Sequence, residues 1–353
     1  MDASVQHITT TLLGWYKAHA RHLPWRALPG TPAPDPYRVW LSEVMLQQTT
    51  VAAVIPYFTT FTTRWPTVEA LASADEGEVM AAWAGLGYYA RARNLIACAR
   101  AVAARGGVFP DTEEDLRSLP GLGAYTAAAV AAIAFARRAV VVDANVERVV
   151  ARLFAIATPL PGGKTAIRDG ADRLTPLNEA GDFAQAMMDL GATICTARAP
   201  RCLLCPLSAH CAARAGGEPE RFPIKAPKKP RPERQGTAFW IERQGKVWLC
   251  RRPPSGMLGG MLALPDDGWT ARGDGHGAPP LDGDWQAGGV VLHGFTHFTL
   301  GLRLLRRASP VSRDPEGEGQ WWPVDRLDEA GLPTVFAKAA RLALAHDREG
   351  DAQ

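Results

Sequence analysis

Residues 221–234 read Arg-Phe-Pro-Ile-Lys-Ala-Pro-Lys-Lys-Pro-Arg-Pro-Glu-Arg, with four prolines and six basic side chains against one acidic. Proline lacks an N–H and clashes inside a helix, so neither a helix nor a central strand can run through this stretch. A stiff, extended, cationic connector is the remaining option. The texture differs on its two sides. Upstream, apolar positions recur every three or four residues, alanine is abundant, and Pro and Gly mark the ends, which predicts helix after helix. Downstream, Thr237-Ala238-Phe239-Trp240-Ile241 and Lys246-Val247-Trp248-Leu249-Cys250 flank a short polar turn with Gly245, the pattern of a β-hairpin. Val290-Val291-Leu292-His293 and residues 300–305 predict further strands, residues 334–345 a closing helix, and the Gly-, Asp- and Pro-rich residues 266–288 a mobile loop. At 353 residues the chain exceeds the usual one-domain size of ~100 to 200 residues. The expected organisation is a helical domain over 1–215, a basic linker over 216–235 and a second domain over 236–345.

Hydrophobic residues at 47% and charged residues at 21% fit a globular chain and exclude wholesale disorder. No stretch approaches the ~20 apolar residues that span a bilayer, and the N-terminus lacks a basic region followed by an apolar one. A cytoplasmic, nucleoid-associated monomer with no membrane partner is expected. The net charge of +3 is too small to identify a nucleic-acid partner, but 32 of the 39 basic residues are arginine, whose planar fork suits phosphate. Six cysteines are too few for a disulfide framework, and four of them, Cys195, Cys202, Cys205 and Cys211, crowd into 17 residues. In a reducing compartment that crowding points to metal, and four thiolates suit either zinc or an iron–sulfur cluster. Cys98 and Cys250 read as buried small apolar residues.

Three further patterns carry chemistry. Leu119-Pro120-Gly121-Leu122-Gly123-Ala124-Tyr125 lies between two predicted helices, and its glycines free the backbone to turn sharply so that amides and a helix N-terminus converge on one anion. Twenty residues on, Asp143 ends the apolar run Val140-Val141-Val142, where a partly desolvated carboxylate needs donors or a positive charge beside it. A helix cap is the simplest duty for Asp143, with Asn145 bonding locally. Glu43, on a predicted helix, has Val39, Trp40, Leu46 and Gln47 three and four positions away, a mostly apolar surround that raises a carboxyl pKa and makes a proton donor near neutrality.

The hairpin, Asp143 and the four cysteines together resemble the helix-hairpin-helix DNA glycosylase superfamily over residues 1–215. Leu41-Ser42-Glu43-Val44-Met45-Leu46-Gln47-Gln48-Thr49 and Gly85-Leu86-Gly87-Tyr88-Tyr89-Ala90-Arg91-Ala92-Arg93-Asn94 are similar to the adenine glycosylases of the MutY type. The resemblance implies a mainly α N-terminal helix-hairpin-helix domain of two helical modules with the site in the cleft between them and an iron–sulfur loop, followed by an α+β Nudix-like C-terminal domain. It implies excision of adenine opposite 8-oxoguanine or guanine in double-stranded DNA, and a 4Fe-4S cluster on Cys195, Cys202, Cys205 and Cys211. Two carboxyls share the work. The expected division is that Glu43 protonates the base and Asp143 stabilises the oxocarbenium-like sugar or traps it, and the resemblance implies Tyr125 and Asn145 as their hydrogen-bond partners. Gln48 and Tyr88 match positions that enter the base stack, Gly121 and Gly123 the phosphate-binding hairpin, Arg26 and Leu28 the adenine pocket, and Arg198 and Arg201 face phosphate.

The second domain resembles the C-terminal domain of the same glycosylases, which implies a Nudix-like fold used for recognition. Pyrophosphate hydrolysis is set aside, because no glutamate occurs between Glu242 and Glu316 to gather magnesium. Phe295-Thr296-His297 matches the family's lesion-reading loop, with Thr where Ser is usual. Further departures are Glu147, where lysine is frequent, and residues 258–265, which lack the aromatics common there. A glycosylase with strand-cleaving lyase activity, of the endonuclease III type acting on oxidised pyrimidines, is the alternative. It needs a lysine at the hairpin position that Tyr125 holds. A purely DNA-binding module leaves Glu43 and Asp143 unexplained.

Overall fold

The computed structural model describes residues 3–227, 230–253, 256–307, 313–315 and 317–350, except the side chains of 346–350. Lys228 and Lys229 of the expected linker, and Glu316, lie outside the described residues. The chain divides into two compact units, Met1–Pro227 and Lys228–Gln353, so the division falls inside that linker. Up to Ala226 the segment is not free. Pro219–Arg221 forms a helical turn, and Leu160 exchanges backbone bonds with Ile224 and Ala226. No described helix is long and apolar enough to cross a membrane.

The helical unit buries its apolar faces in two cores. One gathers Trp40 of Pro36–Leu46, Phe58 and Phe61 of Val51–Arg64, Leu95 of Ala90–Ala103 and the alanine-rich Ala124–Phe135. The other joins Leu12 and Tyr16 of Ala3–His19 to Val150 of Ala144–Leu153, Leu174 of Lys164–Leu174 and Leu190 of Ala180–Thr193. The first helix therefore leaves its sequence neighbours and packs on the last ones. Caps fix where these helices begin: Asp35 accepts from Tyr37 N with Pro36 at the first turn, and Thr112 accepts from Asp115 N ahead of Glu113–Arg117. Each fully buried large apolar side chain contributes ~2 to 3 kcal/mol, so two separate cores can hold two modules with a cleft between them.

In the second unit, Glu233–Trp240 pairs in parallel with Thr299–Arg307, which pairs antiparallel with Trp285–Gly294. A second sheet sets Lys246–Arg251 against Glu242–Arg243, Leu262–Ala263 and Gly319–Pro323. Helix Thr334–Gly350 buries Val335, Phe336 and Ala339 in the core beside Trp240 and Leu302. The expected hairpin is shorter than its sequence pattern. Gln244 and Gly245 both take left-handed backbone, the two-residue turn that suits strand twist, yet only Glu242–Arg243 and Ile241 pair across it. The preceding strand belongs to the other sheet. Residues 265–267 bond along its outer edge, Phe239 N to Pro265 O and Asp267 N to Thr237 O. The expected mobile loop is likewise tied down at its start. Trp269 is fully buried, Asp267 accepts from Gly277 N, and Asp274 accepts from Gln235 N.

Candidate active site

A cleft of about 910 Å³ opens between the two cores of the helical unit, lined by Glu43, Tyr125, Asp143, Asn145, Arg26 and Asp189 among others. Glu43 stands on helix Pro36–Leu46 and is 6% exposed. Tyr125, one residue into helix Ala124–Phe135, donates its hydroxyl to Glu43 Oε2 at 2.7 Å. Burial pushes the Glu43 carboxyl up to about 7, against the pull of the Tyr125 hydrogen bond and Arg26; Asp143 adds to the rise. Burial and the Glu43 and Asp143 carboxyls hold the Tyr125 phenol well above its ordinary value, so it keeps its proton near neutrality and donates it in the bond to Glu43. A carboxyl that titrates near 7 can both hold and release a proton under ordinary conditions.

Asp143 is the N-cap of helix Ala144–Leu153. Its Oδ1 accepts from Val146 N at 2.7 Å, and its Oδ2 accepts from Asn145 Nδ2 at 2.8 Å. The capping duty and the cleft position are thus held by one side chain, aimed from a helix N-terminus that favours negative charge. Asn145 is pinned in turn: its Oδ1 accepts from Arg148 Nη2 at 2.9 Å, and Gly191 is packed so tightly on it that a Cβ there would lie 2.5 Å from Asn145 Cβ. Arg148 also donates to the carbonyls of Gly191 and Cys195. The sequence signal for Arg148 is its place three residues past Asn145 on the same helix face.

Gln48 and Tyr88 are both exposed, and both take left-handed backbone at φ 57° and 50°, a conformation bulky residues rarely adopt. Such strain persists only where surroundings impose it. Here Arg91 does so: its guanidinium donates to Val44 O and Met45 O at 2.9 Å, to Thr49 Oγ1, and to Leu86 O, stapling the two loops together. In the hairpin, Gly121 has φ +76°, and a Cβ there would meet Asn94 Cβ at 2.6 Å. Gly123 is different, because a Cβ on it would meet open space. It begins helix Ala124–Phe135 with no side-chain cap, leaving amides there for a guest.

Arg26 reaches the cleft and Leu28 does not. Leu28 is 37% exposed outside it, because a turn closed by Thr31 N to Leu28 O carries the backbone away. The four cysteines line one small cavity with Arg152 and Arg214, and Arg152 Nη1 lies 3.3 Å from Cys195 Sγ. Among the described residues no three metal-ligating side chains converge on a single-ion site. Arg201, expected to face phosphate, donates to the Thr193 carbonyl at the end of Ala180–Thr193. Cys98 is buried and Cys250 half-buried.

In the second unit Phe295, Thr296 and His297 form the turn between Trp285–Gly294 and Thr299–Arg307, closed by Phe295 N to Phe298 O at 2.8 Å. Thr296 and His297 are exposed at its tip. Phe295 is not presented outward with them. Its ring stacks on Phe298 at 4.7 Å and meets His293 edge-on at 4.6 Å.

Residues 41–168 match the family described as HhH-GPD superfamily base excision DNA repair protein, and residues 237–342 match the NUDIX domain. The human adenine DNA glycosylase is 34% identical over 96% of this chain and 74% of its own length. The adenine DNA glycosylase of Mycobacterium tuberculosis is 46% identical over 61% of this chain and 70% of its own. A solved thermostable thymine-DNA glycosylase superposes with a TM-score of 0.54 at 30% identity, covering 60% of this chain and 97% of that one.

Proposed function

The chain belongs to the adenine DNA glycosylases of the HhH-GPD base excision repair superfamily, and from that premise we propose which of its residues carry out the excision. It is a DNA N-glycosylase acting on DNA, with a Nudix-like second domain, and it removes adenine. Adenine leaves poorly as an anion, so the bond to the sugar breaks only when a proton reaches the base while positive charge builds on the sugar. Glu43, neutral up to about pH 7, gives that proton and later guides the incoming water. Asp143, kept in place by Val146 N and Asn145, faces the developing charge. Tyr125 orients the Glu43 carboxyl. The single observation that carries this reading is one cleft holding a buried carboxyl bonded by Tyr125 and a second carboxylate at a helix N-terminus.

Gly121 and Gly123 let the hairpin amides meet a DNA phosphate, while Gln48 and Tyr88 fill the stack when the adenine turns out by ~180°. Thr296 and His297 read the opposite base, selecting 8-oxoguanine or guanine, and the protein works as a monomer. Selectivity of this kind is required, because adenine is a normal base and recognition of adenine alone would strip intact DNA. The product is an intact strand with an abasic site, since no lysine lies between Lys17 and Lys164 to form a Schiff base. An assay of duplexes with adenine opposite 8-oxoguanine, scored with and without hot alkali, tests this: strand cleavage appears only after alkali. Nicking without it, with borohydride trapping of the protein, would favour the lyase chemistry instead.

Cys195, Cys202, Cys205 and Cys211 hold a 4Fe-4S cluster. All four line one cavity, and the arginines beside it suit an anionic thiolate set. Bound to these four cysteines, such a cluster would tie residues 195–211 to the helical unit and add folding energy. Burial pushes the Cys205 thiol up to about 11, so it would ligate as a thiolate near neutrality only with a bound cation beside it. Anaerobically prepared protein should be brown and carry about four irons per chain; stoichiometric zinc in colourless protein would refute the cluster.

A further inference from the structure

The excision chemistry uses two carboxyls of the cleft and leaves a third, Asp189, without a task. Asp189 lies within helix Ala180–Thr193, lines the cleft with Glu43, and has no solvent exposure. Its Oδ2 accepts from Arg26 Nη1 at 2.6 Å and from the Arg21 amide at 3.2 Å. Its Oδ1 has no hydrogen-bond partner, and Arg21 Nη1 stands 3.7 Å from it. The Arg26 side chain is only 8% exposed. A buried charge of either sign is costly when alone, so Arg26 and Asp189 each stabilise the other in the cleft wall.

The pair bears on the proton donor. Three groups face Glu43: Tyr125 from helix Ala124–Phe135, Asp143 from the start of helix Ala144–Leu153, and Arg26 from the segment before Pro36–Leu46. Of these, Arg26 is the one positive charge. A cation near a carboxyl favours its ionised form, which cannot protonate a base. An arginine in this place would therefore oppose the chemistry unless its charge were offset, and Asp189 is the buried group bonded to it. We propose that Asp189 is a positioning residue for excision: by pairing with Arg26 it fixes the guanidinium in the cleft and offsets its charge, so that Glu43 keeps its proton for the adenine. This rests on Glu43 being the proton donor.

The test is single-turnover adenine release by the full-length protein across about pH 5 to 9, read as the position of the limb on which the rate falls with rising pH. Asp189→Asn leaves Arg26 unopposed, so the limb moves to lower pH by about one unit, the low end of what a neighbouring opposite charge does. Arg26→Gln removes the cation nearest Glu43 and leaves Asp189 with Arg21 alone beside it, so the limb moves to higher pH. The double variant returns it near the parent position, and Asp189→Glu restores it. A general loss of structure would not move the limb in opposite directions for the two single variants. An unmoved limb in Asp189→Asn protein that melts like the parent would overturn the proposal. Should that variant not fold, Arg26→Gln decides alone: an unmoved or lowered limb overturns it. Failure of the underlying assignment looks different, because Glu43→Gln would then release adenine at the parent rate.

Discussion

The residues placed in the chemistry and those placed in reading the opposite base are built in opposite ways. Glu43 is buried, bonded at 2.7 Å by Tyr125, and set in a cleft of the helical unit. Thr296 and His297 stand exposed on a four-residue turn, with the flanking Phe295 and Phe298 stacked together and Phe298 buried in the core. Desolvation is what gives a carboxyl a proton to donate near neutrality, so the chemical group must be sunk and rigid. A group that senses which base lies opposite must meet a groove, so it has to be held out from a core that something else maintains. One region stores its function in a costly environment; the other stores it in position.

The largest effect that would break or sharpen this contrast belongs to the cleft. Glu43→Gln should abolish adenine release while duplex binding survives, since the proton donor is lost and the phosphate-facing hairpin is untouched. Asp143→Asn should cripple the chemical step as well. Comparable single-turnover rates for either variant and the parent would remove that residue from the mechanism. In the parent, the rate should fall about tenfold per pH unit above roughly pH 7 as Glu43 ionises.

A buried acid also has a cost in stability, with a definite sign. The folded pKa of Glu43, about 7, lies above its ordinary 4.5. The resulting stability is fully present below about pH 4.5 and declines as pH rises toward 7, by about 3 kcal/mol in all. Glu43→Gln cannot ionise, so denaturant midpoints should show the variant gaining on the parent between pH 5 and pH 8, within about 3 kcal/mol. A constant difference across that range would mean that Glu43 is not held neutral by the fold.

How much of this could be read beforehand follows from the range of the forces involved. The burial of Glu43 was legible because its helix neighbours at three and four positions are chiefly apolar. The two cores, and the return of Ala3–His19 to the last helices, were not, since periodicity says which face is apolar and nothing about which distant face covers it. Asp189 went unread for a related reason. It sits in Met187-Met188-Asp189-Leu190, the same acid-in-an-apolar-run signal that singled out Asp143, but its partner Arg26 is 163 residues away. Strand pairing failed similarly: Gly245 marks a real turn, yet residues 265–267, far downstream, take the edge beside Glu233–Trp240. For Leu28 and Phe295 a family resemblance gives the segment but not the direction of the side chain.

Moderate effects should come from separating the two regions. Ending the chain at Pro227 should leave a folded helical unit that still excises adenine but prefers 8-oxoguanine over guanine less strongly. The ratio of excision rates on the two duplexes is the quantity to compare, and a ratio unchanged by truncation would sink the reading role of the second domain.

The smallest and most discriminating effect lies within the turn itself. Phe295 packs on Phe298 and Trp269, while Thr296 and His297 touch little of their own domain. Phe295→Ala should therefore destabilise the second domain by about 2 kcal/mol through lost packing. Thr296→Ala with His297→Ala should shift stability by no more than about 0.5 kcal/mol, as exposed substitutions usually do. Selectivity should divide the other way at temperatures where both variants are folded. The double variant loses a hydroxyl and an imidazole that can bond a base, so its ratio of 8-oxoguanine to guanine should fall several-fold, whereas Phe295→Ala should keep most of it. Melting curves and paired excision rates on the same preparations check this. If the tip variants keep the full ratio and Phe295→Ala loses it, the ring rather than the exposed pair is the reader.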